Sequence, residues 1–267
     1  MKNLFITLLA ISCAVVLFLG NNHWKESTSV QITDQQPSNS AAQETETETV
    51  SSSEAAAEEL LAKAQNWPET ARHRFEVTLL EQIPYKILIA GSKYLGTEEE
   101  GWASMTKAAI EEAFGPDHVE VEISIFDGTS ADFTTENQVQ ALIDAEADMI
   151  LLEPFTLKDN GVVRIEDSLA HLSAWIEQVH AVQPETVFVL QPPQPIYQAN
   201  FYLTQLEELK KYAEQNELLY LDHWTAWPET QDAALLDYLT EENSPNSEGQ
   251  IVWSEYINHF FIGEPSE

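Results

Sequence analysis

The stretch LIAGSKYLG, residues 88–96, decides how the rest of the chain is read. An apolar run of strand length, residues 86–90, meets Gly91, then Ser92, with a second glycine at Gly96. A strand that ends on glycine and a hydroxyl either presents a nucleophile at the rim of a sheet or caps the next turn. The surroundings decide between the two. Further apolar runs of strand length occupy residues 119–126, 148–152, 186–190 and 218–221. Between and after them lie stretches with helical spacing, at 103–114, 136–145, 168–182, 205–216, 232–239 and 248–261. The stretch 168–182 sets Leu169, Leu172, Ile176 and Val179 on one face. Strand–helix alternation predicts a parallel sheet with helices on both faces. Residues 84–263 therefore read as one three-layer α/β domain with five strands. Ligands of such sheets sit beyond the carboxyl ends of the strands. The chemistry is expected at Gly91–Ser92, Asp127–Gly128, Glu153 to Asn160, Gln191 to Pro195 and Asp222–His223.

Ahead of the domain the composition changes twice. Residues 1–20 read as a membrane anchor or signal segment: Lys2 is followed by a charge-free run from Leu4 to Leu19. As a helix that run spans about 24 Å at about 1.5 Å per residue, short of a bilayer core of about 30 Å. It is long for a cleaved signal and lacks a small-x-small cleavage site. The expectation is an uncleaved anchor with the domain outside the cell, and a secreted, cleaved form is the alternative. Cys13, the only cysteine, excludes a disulfide within one chain. It follows Ser12 as a lipidation cysteine would, but the apolar run continues past it, which suits a thiol inside a membrane helix better. Residues 21–53 are rich in Ser, Thr, Gln and Glu and cannot bury enough surface to offset their ordering entropy. They read as a disordered acidic linker. Residues 54–83 read as a helical lead-in.

The net charge is −33. Beyond Pro84, 34 acidic residues face seven basic ones, so the domain itself stands near −27. A phosphate backbone needs Lys and Arg to replace its counterions, which excludes nucleic acid as a partner. Contact with a membrane is expected through the N-terminal segment alone.

Cofactor chemistry finds no support. GSKYLG has neither the glycine spacing nor the acidic partner of a dinucleotide fingerprint, and no Gly-Lys-Ser/Thr follows for phosphate. The stretch TLKDNGVVRIED puts Thr156 and Lys158 where a calcium loop needs carboxylates. The seven histidines show no paired zinc spacing. No cofactor and no metal are expected, and serine chemistry is what remains.

The chain resembles the SGNH/GDSL hydrolases over residues 86–261. LIAGSKYLG stands where that family has its Gly-Asp-Ser-Leu block, FDGTSADF follows the second strand, and LLEPFTLKDNG follows the third. NSPNSEGQIVWSEYI resembles the final Asp-x-x-His-Pro-Asn block. The resemblance implies a flavodoxin-like αβα sheet of order 2-1-3-4-5, a Ser92 nucleophile, and an oxyanion site from the amides of Ser92 and Gly128 with Asn160. Departures accompany it. Gly91 replaces the aspartate before the serine, Lys158 the oxyanion asparagine, Glu241 the catalytic aspartate and Ser244 the catalytic histidine. Loss of a general base is typically worth 10²–10⁴-fold in rate. His223 with Asp222 is the substitute expected to serve as base, although about 14 Å separates strands one and five. Glu241 or Glu153 could serve as a weaker carboxylate base if burial raised its pKa. Tyr197 and Trp224, on loops past the fourth and fifth strands, are candidates to stack on a sugar.

The function implied is an extracytoplasmic, membrane-tethered serine ester hydrolase or acyl transferase acting on acyl esters of a surface glycan or glycolipid. The alternatives are a catalytically impaired relative that binds an envelope glycan, and a structural envelope protein.

Overall fold

A computed structural model of the chain describes residues 55–263, so the expectations for residues 1–53 lie outside the described residues. Two helices lead in, α1 over 55–63 and α2 (Glu69–Glu81), which Pro68 opens and Gln82 closes in the left-handed region. The domain continues as β1 (Tyr85–Gly91), α3 (Trp102–Phe114), β2 (Val119–Ile125), α4 (Ser130–Thr135), α5 (Val139–Asp144), β3 (Met149–Leu152), α6 (Thr156–Asp159), α7 (Ile165–Val182), β4 (Val187–Leu190), α8 (Phe201–Gln215), β5 (Leu219–Tyr220) and α9 (Ser247–Phe261). The helical spacing at 232–239 becomes a 3₁₀ segment, Ala233–Tyr238. Two short helices, α4 and α6, have no counterpart in the sequence periodicity. Each has six residues or fewer, too few to repeat a helical period.

All five strands are parallel in the order β2-β1-β3-β4-β5. Alternation along the strands sends Ile87, Ile89, Met149, Leu151 and Val189 to one face. There they pack with Phe75, Trp102, Ile110, Trp253 and Phe261 from α2, α3 and α9. Leu88, Ala90, Ile150, Leu152 and Leu190 take the other face, against Phe133, Leu142, Trp175, Val179 and Leu209. Both faces of a parallel sheet are covered, so the strands read as continuous apolar runs.

The lead-in belongs to the core. Trp67 is buried, its indole N–H donates to the Phe261 carbonyl at 2.9 Å, and its ring lies 5.1–6.1 Å from those of Phe75, Tyr85, Phe114 and Phe261. Burying side chains of this size stabilises by roughly 1.5–3 kcal/mol each. Among the described residues no helix is long and apolar enough to cross a membrane.

Candidate active site

The register of the sheet brings three residues into a row at its carboxyl edge. Ala90 pairs with Leu152 and Leu152 with Leu190. The next residues, Gly91, Glu153 and Gln191, therefore lie side by side and turn toward the same face. Backbone bonds continue the ladder here, from Glu153 N to Ala90 O at 2.9 Å and from Gln191 N to Leu152 O at 3.1 Å. A side chain at position 91 would place its Cβ 2.8 Å from Glu153 Cβ and 2.7 Å from Leu95 Cδ1. Glycine is required there because Glu153 fills the space. The carboxylate beside the serine thus comes from β3 rather than from the residue before the serine.

Ser92 and Glu153 form the center of the site. The Ser92 amide donates to Glu153 Oε2 at 2.8 Å. Burial pushes the Glu153 carboxyl up from the ordinary range, and the nearby Ser92 hydroxyl and the Ser92 and Phe155 amides offset part of that rise. Glu153 Oε1 is buried without a hydrogen-bond partner among the described residues. Phe155, two residues on, stands at φ 60°, ψ 18°, a left-handed conformation that side chains resist at about 1–2 kcal/mol. Its ring is fixed against Phe126, Phe133 and Trp175. Ser92 is 1% exposed, and its Oγ accepts the Tyr94 amide at 3.4 Å, so the hydroxyl also caps the 3₁₀ turn Lys93–Leu95.

The expected oxyanion groups divide. The Gly128 N–H makes no hydrogen bond among the described residues, and a side chain at 128 would collide with the Phe126 ring. The Ser92 N–H is already spent on Glu153. Asn160 ends α6, partly exposed, with no side-chain bond among the described residues. Its neighbor Asp159 is buried, accepting from the Ser130 amide at 2.8 Å and the Ser168 hydroxyl at 2.6 Å, and so ties the loops after β2 and β3 together. Lys158 meets Asp127 Oδ1, which holds that carboxyl below its usual range.

His223 and Asp222 do not form a proton relay with Ser92 in this geometry. The His223 ring is fully buried, stacked 4.2 Å from Trp253, with Nε2 on the Pro192 carbonyl at 2.9 Å and Nδ1 accepting from Trp227 Nε1 at 3.0 Å. Burial lowers its pKa to about 3. Both nitrogens are engaged and neither is free to take a proton. Asp222 turns away to Lys210 at 2.9 Å. Glu241 is exposed at the surface, and Ser244 serves its own turn through Thr240. Trp224 donates to the Pro193 carbonyl at 2.7 Å and meets Tyr202 edge-on. It lines a cavity of about 240 Å³ with Asp222 and Lys210. Tyr197 packs partly buried against the larger core cluster.

Gln191 and Gln194 lie in the stretch 191–195 that its place after the fourth strand marks for chemistry, although no local pattern singles out either amide. Gln191 Oε1 accepts from Trp253 Nε1 at 3.0 Å while its Nε2 is buried and unpartnered. Gln194 Nε2 reaches the Asn243 carbonyl and its Oε1 is unpartnered. A readable signal did exist for Glu153: a charged residue ends the apolar run MILL, at the edge where ligands bind. Among the described residues no group of three His, Cys, Asp or Glu side chains gathers as metal ligands would.

No family model matches the chain, and no curated protein matches it in sequence. Solved structures do align with it. A protein described as lipolytic and of the G-D-S-L family, from Desulfitobacterium hafniense, is 19% identical, with 66% of this chain and 99% of that one covered and a TM-score of 0.53. A GDSL-like lipase from Parabacteroides merdae is 12% identical over 67% and 96% of the two chains, TM-score 0.57. The acetylxylan esterase Axe2 from Geobacillus stearothermophilus is 14% identical over 70% and 99%, TM-score 0.54. Its catalytic mutants change a serine, an aspartate and a histidine. At these identities the likeness is one of architecture: the domain is built on the SGNH/GDSL hydrolase fold.

Proposed function

We propose that the chain is a serine ester hydrolase of SGNH type in which Glu153, rather than a histidine, takes the proton of Ser92. One observation carries this reading: the wholly buried Glu153 carboxyl lies against Ser92 with a raised pKa and one oxygen unpartnered. A carboxylate moved up toward neutrality is matched to proton transfer at working pH. Ser92 Oγ bonds to the acyl carbon as its proton passes to Glu153. The tetrahedral oxyanion faces the unengaged amide of Gly128, and protonated Glu153 then gives its proton to the departing alkoxide, leaving an acyl serine. Water, deprotonated by Glu153, releases the acid in the second half. An alcohol in place of that water would make the same site an acyl transferase. The ester hydrolases that share the fold support this reaction class.

The reading extends to the substrate and the place of action. The substrate is an acyl ester of a cell-surface glycan or glycolipid, met outside the cell by a domain tethered through residues 1–20. Sequence composition supports the tether, and the acetylxylan esterase that shares the fold offers a glycan-ester precedent. The test incubates purified full-length chain with p-nitrophenyl acetate and maps adducts by mass spectrometry. Nitrophenol release with an acetyl group on the Ser92 peptide is expected. Release that Ser92→Ala leaves unchanged would overturn the assignment.

A second reading has its own observation. Ser92 is 1% exposed, and the histidine of the β5 loop is locked in the core. Both favor a relative that binds an envelope glycan without cleaving it. That reading expects no turnover at any pH together with micromolar glycan affinity.

A further inference from the structure

Beside Glu153 the sheet edge holds a donor that nothing in the fold uses. Leu151 and Val189 turn to the face covered by Trp102 and Trp253, and Glu153 and Gln191, two residues further along, turn the same way. Both side chains are fully buried. Trp253 fixes the direction of the Gln191 amide. An indole N–H can only donate, so the Gln191 oxygen has to face it, and Oε1 does so at 3.0 Å. The Trp253 ring is itself held by stacking, on Trp102 at 4.7 Å and on His223 at 4.2 Å. The amide therefore cannot turn over, and Gln191 Nε2 keeps its N–H groups without a partner among the described residues. On the adjacent strand end, Glu153 gives Oε2 to the Ser92 amide and leaves Oε1 as an acceptor without a partner. Leu152 pairs with Leu190, so donor and acceptor stand on neighboring strands about 4.8 Å apart. They do not bond each other. Trp102 Nε1 is a further buried, unpartnered donor on this face. One O–H group answers both sides: its oxygen accepts from Gln191 and its hydrogen goes to Glu153. Two to four polar partners are what a buried water needs.

We propose that Gln191 and Glu153 together hold the water that releases the acyl group from Ser92, so that this site passes its acyl group to water and not to a larger alcohol. The inference rests on the ester-hydrolase reading of the same site and adds Gln191 to its machinery. The water oxygen accepts from Gln191 Nε2 and keeps a lone pair for the acyl carbon. That pair forms the new bond as one proton passes to Glu153 Oε1. The bond from the acyl carbon to Ser92 Oγ then breaks, Glu153 returns the proton to Ser92 Oγ, and the free acid leaves. Holding the water in this geometry removes the need to capture it at the moment of reaction. A place closed by fully buried side chains admits water and leaves no room for an alcohol that carries a sugar or a lipid. One hydrogen bond to the reacting oxygen corresponds to about a tenfold gain in rate.

The experiment separates the two halves of the reaction in the full-length chain and in Gln191→Met. Nitrophenolate departs without needing a proton, so acylation by p-nitrophenyl acetate does not call on the held water, whereas deacylation does. Single-turnover release of nitrophenol reads acylation, and loss of the acetyl group from Ser92, followed by mass spectrometry, reads deacylation. In Gln191→Met, acylation should stay within about twofold of the parent while deacylation slows about tenfold and acetyl-Ser92 accumulates. Hydroxylamine, which attacks an ester without a general base, should restore release in the variant. With molar glycerol present, the parent should still form acetate. Acylation and deacylation that fall together, deacylation that Gln191→Met leaves unchanged, or glyceryl acetate as the main product overturns the proposal. A second arm needs neither turnover nor a variant. A crystal structure of the parent chain should show an ordered oxygen about 2.7–3.2 Å from both Gln191 Nε2 and Glu153 Oε1. A direct hydrogen bond between the two side chains overturns the proposal. Acylation of Ser92 with deacylation indifferent to Gln191 removes this inference and leaves the hydrolase reading standing. A parent chain that never acylates removes both, even with the ordered oxygen in place.

Discussion

Two buried titratable groups sit at the carboxyl edge of the same sheet, and they are built in opposite ways. His223, past β5, has a partner for each ring nitrogen and an indole stacked on its face. Glu153, past β3, is equally buried but keeps one oxygen without a partner and leans on the hydroxyl and amide of Ser92. A buried polar group that is fully satisfied stabilises the fold; one left partly unsatisfied costs stability and persists where function needs it. On that contrast the imidazole belongs to the scaffold and the carboxyl to the chemistry, the reverse of what residue type alone suggests.

The largest expected effect is on rate. Glu153→Gln keeps the shape and removes the base, and should lower kcat for p-nitrophenyl acetate by 10²–10⁴-fold. Circular dichroism of the variant would stay native-like. His223→Leu should split the other way. It leaves the Trp227 N–H and the Pro192 carbonyl unpartnered inside the core, at about 1–3 kcal/mol each. Chemical denaturation should show that loss, while kcat per folded molecule changes little. A large drop in kcat with stability preserved would break the comparison.

The dependence of stability on pH sharpens it further. The pKa of Glu153 is raised on folding, so its contribution is present in full below the ordinary carboxylate range and is lost as pH rises through the raised value. Glu153→Gln should therefore raise the melting temperature at pH 8 more than at pH 4. His223, lowered to about 3, acts in the opposite sense: the unfolded chain binds its proton first, so stability falls as pH drops from about 6.5 toward about 3. The acid limb should persist in Glu153→Gln and weaken in His223→Leu. The smallest effect is expected from Asp222→Asn. Its partner Lys210 is half exposed, and such pairs are worth about 0–1 kcal/mol. Neither denaturation midpoint nor kcat should move appreciably.

Much of the sheet was legible because its strands are buried on both faces and so appear as apolar runs flanked by helical spacing. The edge order could not be read from periodicity and came from the resemblance to SGNH/GDSL hydrolases. The short helices α4 and α6 left no period to detect. Position marked the strand ends at Ser92 and Asp127–Gly128, while the nucleophile and oxyanion roles came from the resemblance; the contacts that force glycine at 91 and 128 appear only in the fold. The role of His223 could not be read, because whether an imidazole is free or bonded depends on Trp227 and Pro192, which the fold brings to it. Glu153 was visible as a charge ending an apolar run, but its contact with Ser92 follows from the β1–β3 register, which no local pattern records.

The most direct test of the central claim, that Glu153 accepts the Ser92 proton, is the pH dependence of kcat/KM for p-nitrophenyl acetate in the parent chain, Glu153→Gln and His223→Leu. The account requires a rate that rises with pH through one ionisation above the ordinary carboxylate range, retained in His223→Leu and absent from Glu153→Gln. A rising limb that survives in Glu153→Gln and disappears in His223→Leu would contradict it.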